Sequence, residues 1–138
     1  MIKQDNNLKN VLKDDGVKTF EINKFENLST NSIENIKKTL GSPPWAARLV
    51  YNETFGGVLI CQNPGEGNRK HFHPDADECW IIVEGEWEWF IEGVGTKKVK
   101  KDDIIVVPKG TPHQIKCIGK KPGIRFAITK PDVNHVYV

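Results

Sequence analysis

Cysteine is scarce: Cys61, Cys79 and Cys117 are the only three in 138 residues. An odd, sparse set without metal-finger spacing argues against a disulfide framework and for reduced thiols. Long apolar runs are missing too. No stretch approaches the roughly 18 apolar residues of a membrane helix, and the opening Met1-Ile2-Lys3-Gln4-Asp5 lacks the apolar core of a secretory signal. A soluble, cytoplasmic protein is the expectation. Nor is charge of one sign in excess, since 20 basic and 18 acidic residues leave a formal net charge of +2. Neither an electrostatic footprint for nucleic acid nor a disordered acidic chain is indicated, so neither nucleic acid nor a membrane is expected as a partner. The cluster of Lys97, Lys98, Lys100 and Lys101 flanks a turn and reads as a solvated face. Solenoid repeats and low-complexity linkers are also lacking, and a chain of this length buries a real core as one domain.

What is present divides into a polar, Asn/Lys-rich arm (residues 1–43) and a β-domain (residues 44–138). Within the arm, Asn31 followed by Glu34 reads as a capping box. Ile33, Ile36 and Leu40 form one apolar stripe, and Gly41 then Pro43 stop the helix, so the pattern predicts a helix over residues 32–40. Residues 17–22 alternate with the period of two of a half-buried strand, expected as an edge strand of the main sheet or as a strand paired across a dimer. Beyond the arm, short β-branched and aromatic runs cover residues 47–51, 57–62, 70–73, 79–83, 87–91, 97–100, 104–107, 113–118 and 124–129. Gly and Pro turns separate nearly all of them, which argues for an all-β sandwich or barrel.

Histidine is rare as well, yet three of the four fall in a pattern: His71-x-His73, then Glu78, then His113. Residues two apart on a strand point the same way, so His71 and His73 present both imidazoles to one side. Pro74 and the acidic loop Asp75-Ala76-Asp77 reverse the chain and can bring Glu78 opposite them, while His113 opens a later strand. Asp77 is a distant second choice for the carboxylate; otherwise Asp75 and Asp77 read as loop solvation. Three imidazoles and one carboxylate suit a first-row divalent ion and leave two octahedral positions open.

At this point the chain resembles a known family. Gly65-x5-His71-x-His73-x4-Glu78-x6-Gly85 matches the first motif of the cupins, and Asp102-x5-Pro108-x-Gly110-x2-His113-x3-Cys117 matches the second. Asp102 there replaces a turn glycine and Cys117 an asparagine. The resemblance spans residues 65–117 and implies a double-stranded β-helix, the jelly-roll barrel, with a mononuclear metal held by His71, His73, Glu78 and His113. It also implies a homodimer as the assembly. Iron is the expected metal, with manganese, nickel or zinc as alternatives.

Other residues are weighed for the pocket. Trp80 and Ile82 share the face of Glu78 and wall either the pocket or the barrel core. Trp87 and Trp89 share the next face and read first as core or interface, second as a stacking platform. An inward Arg48 or Arg125 would fork onto a substrate carboxylate or phosphate. Cys117 lies on the strand face of His113, as a pocket thiol or, more commonly, a small buried hydrophobe. His135 lies near the C-terminus without such company and is expected to be exposed. Three functions fit: a non-haem dioxygenase of a small organic substrate; a metal-dependent sugar isomerase, lyase or decarboxylase; and a non-catalytic small-molecule-binding or regulatory protein. The ligand motif does not choose among them.

Overall fold

A computed structural model describes residues 3–5 and 22–138. In chain order the strands are β1 (Lys3–Asp5), β2 (Ile22–Lys24), β3 (Trp45–Tyr51), β4 (Gly56–Gln62), β5 (His71–Phe72), β6 (Glu78–Glu84), β7 (Glu86–Ile91), β8 (Gly95–Lys100), β9 (Ile104–Val107), β10 (His113–Ile118), β11 (Gly123–Thr129) and β12 (His135–Tyr137). One helix, α1 (Ile33–Leu40), lies between β2 and β3. The strands form two sheets, one ordered β1-β12-β5-β10-β7-β8 and the other β2-β3-β4-β11-β6-β9. All pairings are antiparallel except β2 with β3, and the architecture is the all-β jelly roll that the sequence predicts.

Alternation fills the space between the sheets. On β6, Glu78, Trp80 and Ile82 are buried while Cys79 and Ile81 face outward. Trp87 and Trp89 of β7, Ile105 and Val107 of β9, and Ile115 and Cys117 of β10 complete the same core. Burying each large apolar side chain contributes roughly 1.5–3 kcal/mol, so this layer is the main source of stability. The two tryptophans of β7 are therefore core, 0% and 1% exposed, and form no platform. A second cluster lies outside: α1 lays Ile36 over Trp45, Ala47, Leu59, Cys61 and Ile124, covering the outer face of β3, β4 and β11.

Several local expectations shift. The helix cap is Ser32, whose hydroxyl accepts the Asn35 N–H at 3.3 Å. Asn31 instead accepts the Ser32 N–H at 3.1 Å, so the capping signal is real but falls one residue later. Asp102 has φ 75°, the left-handed turn conformation that made an aspartate acceptable where the motif has glycine. Of the alternating segment at 17–22, residues 17–21 lie outside the described residues, and Ile22 opens β2. His135, expected at the surface, is 5% exposed within a strand. No helix among the described residues is long and apolar enough to cross a membrane.

Candidate metal centre

Neighbouring strands of one sheet bring the histidines together. His113 at the start of β10 stands directly opposite His71 on β5. His73 lies just past β5, on the side of His71 by strand parity, with its backbone carbonyl accepting the Gly110 N–H at 2.7 Å. The opposing sheet supplies Glu78 at the start of β6, paired with Val107. All four side chains are 6% exposed or less, and their donor atoms lie within 4.8 Å of one another. The structure thus brings together the four residues that the motif spacing singles out.

Hydrogen bonds to the other ring nitrogens fix how the imidazoles point. Nδ1 of His71 donates to the Arg69 carbonyl at 2.6 Å, that of His73 to the Asn134 carbonyl at 2.9 Å, and that of His113 to the Thr111 carbonyl at 3.0 Å. A carbonyl oxygen only accepts, so each Nδ1 carries a hydrogen and each neutral ring turns an Nε2 lone pair toward the centre. There the lone pairs meet another acceptor: Glu78 Oε1 lies 2.6 Å from His73 Nε2 and 2.9 Å from His113 Nε2. His73 Nε2 and Glu78 Oε1 are buried without a well-aligned hydrogen-bond partner. Acceptor facing acceptor at such distances is repulsive unless a cation or proton sits between them. The donor set fits a first-row divalent ion, and backbone-anchored imidazoles are the usual support for one.

The electrostatics agree. Burial, followed by the neighbouring imidazoles, holds His71 well below its ordinary value, keeping it a neutral donor. For His73 burial is the largest influence and would lower the value, but the bond and charge of Glu78 together outweigh it and raise it. Glu78 shows the reverse balance: burial alone would raise it, yet His113 and His73 together hold it well below the carboxylate range. The carboxylate is anionic, and the cluster attracts positive charge.

A cavity of about 340 Å³ opens beside the centre, lined by Glu78, His135 and Trp80 together with Ile22, Val58, Ile60 and Ala127. Arg48, Tyr51, Thr129 and Asp132 supply its other polar groups. Arg48 is committed locally, donating Nε and Nη2 to Glu26 Oε1 at 2.9 and 2.7 Å and stacking 3.9 Å from the Tyr51 ring centroid. Trp80 both walls this cavity and joins the core. Three of the pocket candidates lie elsewhere. Ile82 is core, 0% exposed. Arg125 is buried at its level in the ladder, Arg125 opposite Ile82, with Nη2 donating to Gln62 Oε1 at 3.0 Å. The Cys117 thiol, also 0% exposed, packs 3.7 Å from the Gln62 carbonyl. Asp77 accepts the Lys109 N–H at 2.8 Å and Asp75 pairs with Lys130, so both acids belong to the loop.

His135 is the residue that sequence reasoning places wrongly. Its ring centroid lies 5.0 Å from that of His71 and 4.8 Å from that of His73, and it lines the cavity. The alternation of His135-Val136-Tyr137 is the one available signal, too short to distinguish a strand from a tail.

The cupin domain model matches residues 58–129, just over half the chain, and the chain belongs to the cupin family. It is 41% identical over 44 residues to the Uncharacterized protein YdbB of Bacillus subtilis (strain 168), a stretch covering 32% of this chain and 39% of that protein. Among solved structures it is similar to an uncharacterized conserved protein with a double-stranded beta-helix domain from Klebsiella pneumoniae subsp. pneumoniae. That match has TM-score 0.65 and 20% identity, covering 75% of this chain and 85% of that one. It is also similar to the DMSP lyase DddQ from Ruegeria pomeroyi, with TM-score 0.52 and 23% identity, over 59% of this chain and 40% of that one. At such identities the likeness is one of fold.

Proposed function

We propose that this cupin is a mononuclear metal-dependent enzyme acting on a small, largely apolar organic substrate, and in its first form a non-haem dioxygenase using iron. The observation that carries the reading is the buried meeting of inward-turned imidazole lone pairs and the Glu78 carboxylate beside an apolar cavity. A divalent ion held by His71, His73, Glu78 and His113 would supply open positions for substrate or dioxygen and Lewis acidity toward a substrate oxygen. The chain does the rest. Backbone carbonyls of Arg69, Asn134 and Thr111 keep the imidazoles in the donating tautomer, and Glu78 offsets part of the ion's charge. Trp80, Ile60, Val58 and Ala127 give the cavity an apolar lining for the substrate. Thr129 Oγ1 is buried without a hydrogen-bond partner and is available to orient a polar substrate group.

A second reading, a lyase or isomerase, is favoured by His135. Its imidazole lines the same cavity as Glu78, beside His71 and His73 but outside the four-residue set, where a side chain that moves a proton to or from substrate is needed. Manganese, nickel or zinc suits that chemistry better than iron. The experiment is elemental analysis of untagged protein beside His71→Ala, followed by oxygen uptake with candidate substrates. Near-stoichiometric iron, lost in the variant, with substrate-dependent oxygen uptake supports the dioxygenase. Another metal without oxygen uptake supports the second reading. Metal content unaffected by His71→Ala overturns the site.

A further inference from the structure

The two oxygens of Glu78 are not equivalent. Oε1 faces His73 Nε2 and His113 Nε2 at 2.6 and 2.9 Å, whereas Oε2 accepts a buried hydrogen bond from the Trp80 indole N–H at 3.2 Å. Left alone, both oxygens of a carboxylate bind a cation, singly or together. A donor held against one occupies a lone pair of that oxygen and pins the terminal torsion, which is otherwise broad.

The indole is itself held firmly. Residues 78 and 80 share one face of β6, so the contact follows from strand parity. Trp89 meets the Trp80 ring edge-on at 5.4 Å, and the Arg125 guanidinium lies 4.7 Å from its centroid. Arg125 is anchored in turn on Gln62 Oε1 at 3.0 Å, and Gln62 Nε2 donates to the Gly67 carbonyl at 2.8 Å. A buried line of contacts therefore runs from the Gly67 backbone to the carboxylate. A cation stacked on an indole adds to this restraint.

We propose that Trp80 is a positioning residue of the metal centre: its N–H holds Glu78 Oε2 so that Oε1 alone is presented to the ion, with Arg125 stacked on the ring to keep the indole in place. This rests on the metal reading above. The competing account is that Trp80 only fills space, and Trp89 is the internal control. It is buried in the same core, 1% exposed, and meets Trp80 edge-on, but its indole nitrogen has no hydrogen-bond partner, so Trp89→Phe keeps an aromatic ring against Trp80 and breaks no hydrogen bond.

The test compares untagged wild type, Trp80→Phe and Trp89→Phe loaded with cobalt(II), by competition against a chromophoric chelator and by visible ligand-field absorption. Loss of an outer partner of a metal ligand weakens affinity by about 10- to 100-fold, so Trp80→Phe is expected to bind cobalt at least about tenfold more weakly with shifted bands. Trp89→Phe is expected to stay within about twofold of wild type, with its spectrum unchanged, because it removes no such partner. Equal behaviour of the two variants, in affinity and spectrum, overturns the positioning role while leaving the metal site standing. Wild type that binds no cobalt overturns both. Should Trp80→Phe fail to fold, the indole signals of ¹⁵N-labelled wild type replace it: the Trp80 N–H must shift on zinc loading while that of Trp45 stays, and an unmoved Trp80 signal overturns the proposal.

Discussion

Cys79 projects from the outer face of β6, whereas Cys61 and Cys117 are buried. Burial pushes the Cys61 thiol up to about 12 and that of Cys117 up to about 11. Only a thiolate attacks a disulfide reagent, so at pH 8 the two buried groups are both protonated and enclosed. Titration of the native protein with an aromatic disulfide is expected to release one equivalent promptly and three after denaturation. A second fast equivalent in the native state would mean that Cys61 or Cys117 opens to solvent. Depth is what parity withholds at this scale. Cys117 does share the strand face of His113, but four residues at about 3.3 Å each carry it some 13 Å along the barrel. The same displacement separates Ile82 from Glu78, and Arg125 stands opposite Ile82. Only Trp80, two residues from Glu78, stays within reach of the centre. The four clustered residues are legible because their spacing is tied to turns that the sequence also displays; for Ile82 and Cys117 the structure agrees with the core reading rather than the pocket one, and Arg125 is buried beside them, because a face is periodic and a site is not.

At the scale of elements, β11 begins at Gly123 for a packing reason. A Cβ built there would meet three atoms of the buried Trp87 ring at 2.7 Å, and the adjoining Gly85 approaches the same glycine from the turn between β6 and β7. Overpacking a close-fitted core costs about 1–3 kcal/mol, so Gly123→Ala is expected to lower stability by that amount in urea unfolding. Gly56→Ala, whose Cβ would meet nothing nearer than 3.6 Å, is expected to change it by about 0.5 kcal/mol or less. Equal effects would show that the tryptophan yields. Elements with turn signals at both ends, such as β9 and β10, match their predicted bounds, since Gly and Pro punctuate the chain locally. Two elements escaped, β1 and β12, each three residues long and too short to show a period, and the run predicted over residues 70–73 narrows to β5, His71–Phe72, because Pro74 and the turn following it end the ladder early. Pairing between distant strands decides such cases, and no local pattern encodes it.

For the whole molecule, the candidate centre joins the two sheets, its three histidines on or just past strands of one and Glu78 on the other, so an ion bound there would tie the folded state together and be lost on unfolding. Free metal at a hundred times its dissociation constant stabilises the fold by about 2.7 kcal/mol. At about 3 °C per kcal/mol for a chain of this size, the unfolding midpoint should rise by about 8 °C. The rise depends on pH with a definite sign. In the metal-free protein His73 is raised above its ordinary 6.5, so its pairing with Glu78 is fully stabilising below that value and is lost as pH climbs through the folded one. Glu78 is held below its ordinary 4.5, so its contribution is present above 4.5 and lost as pH falls through the folded value. Between the two, a proton on His73 does in part what the ion does, and the ion must displace it. The zinc-induced gain in midpoint is therefore expected to be small near pH 5.5 and larger near pH 8, measured by calorimetry on metal-free and metal-loaded samples with His71→Ala flat throughout. A gain independent of pH would mean that the ion binds away from the histidines.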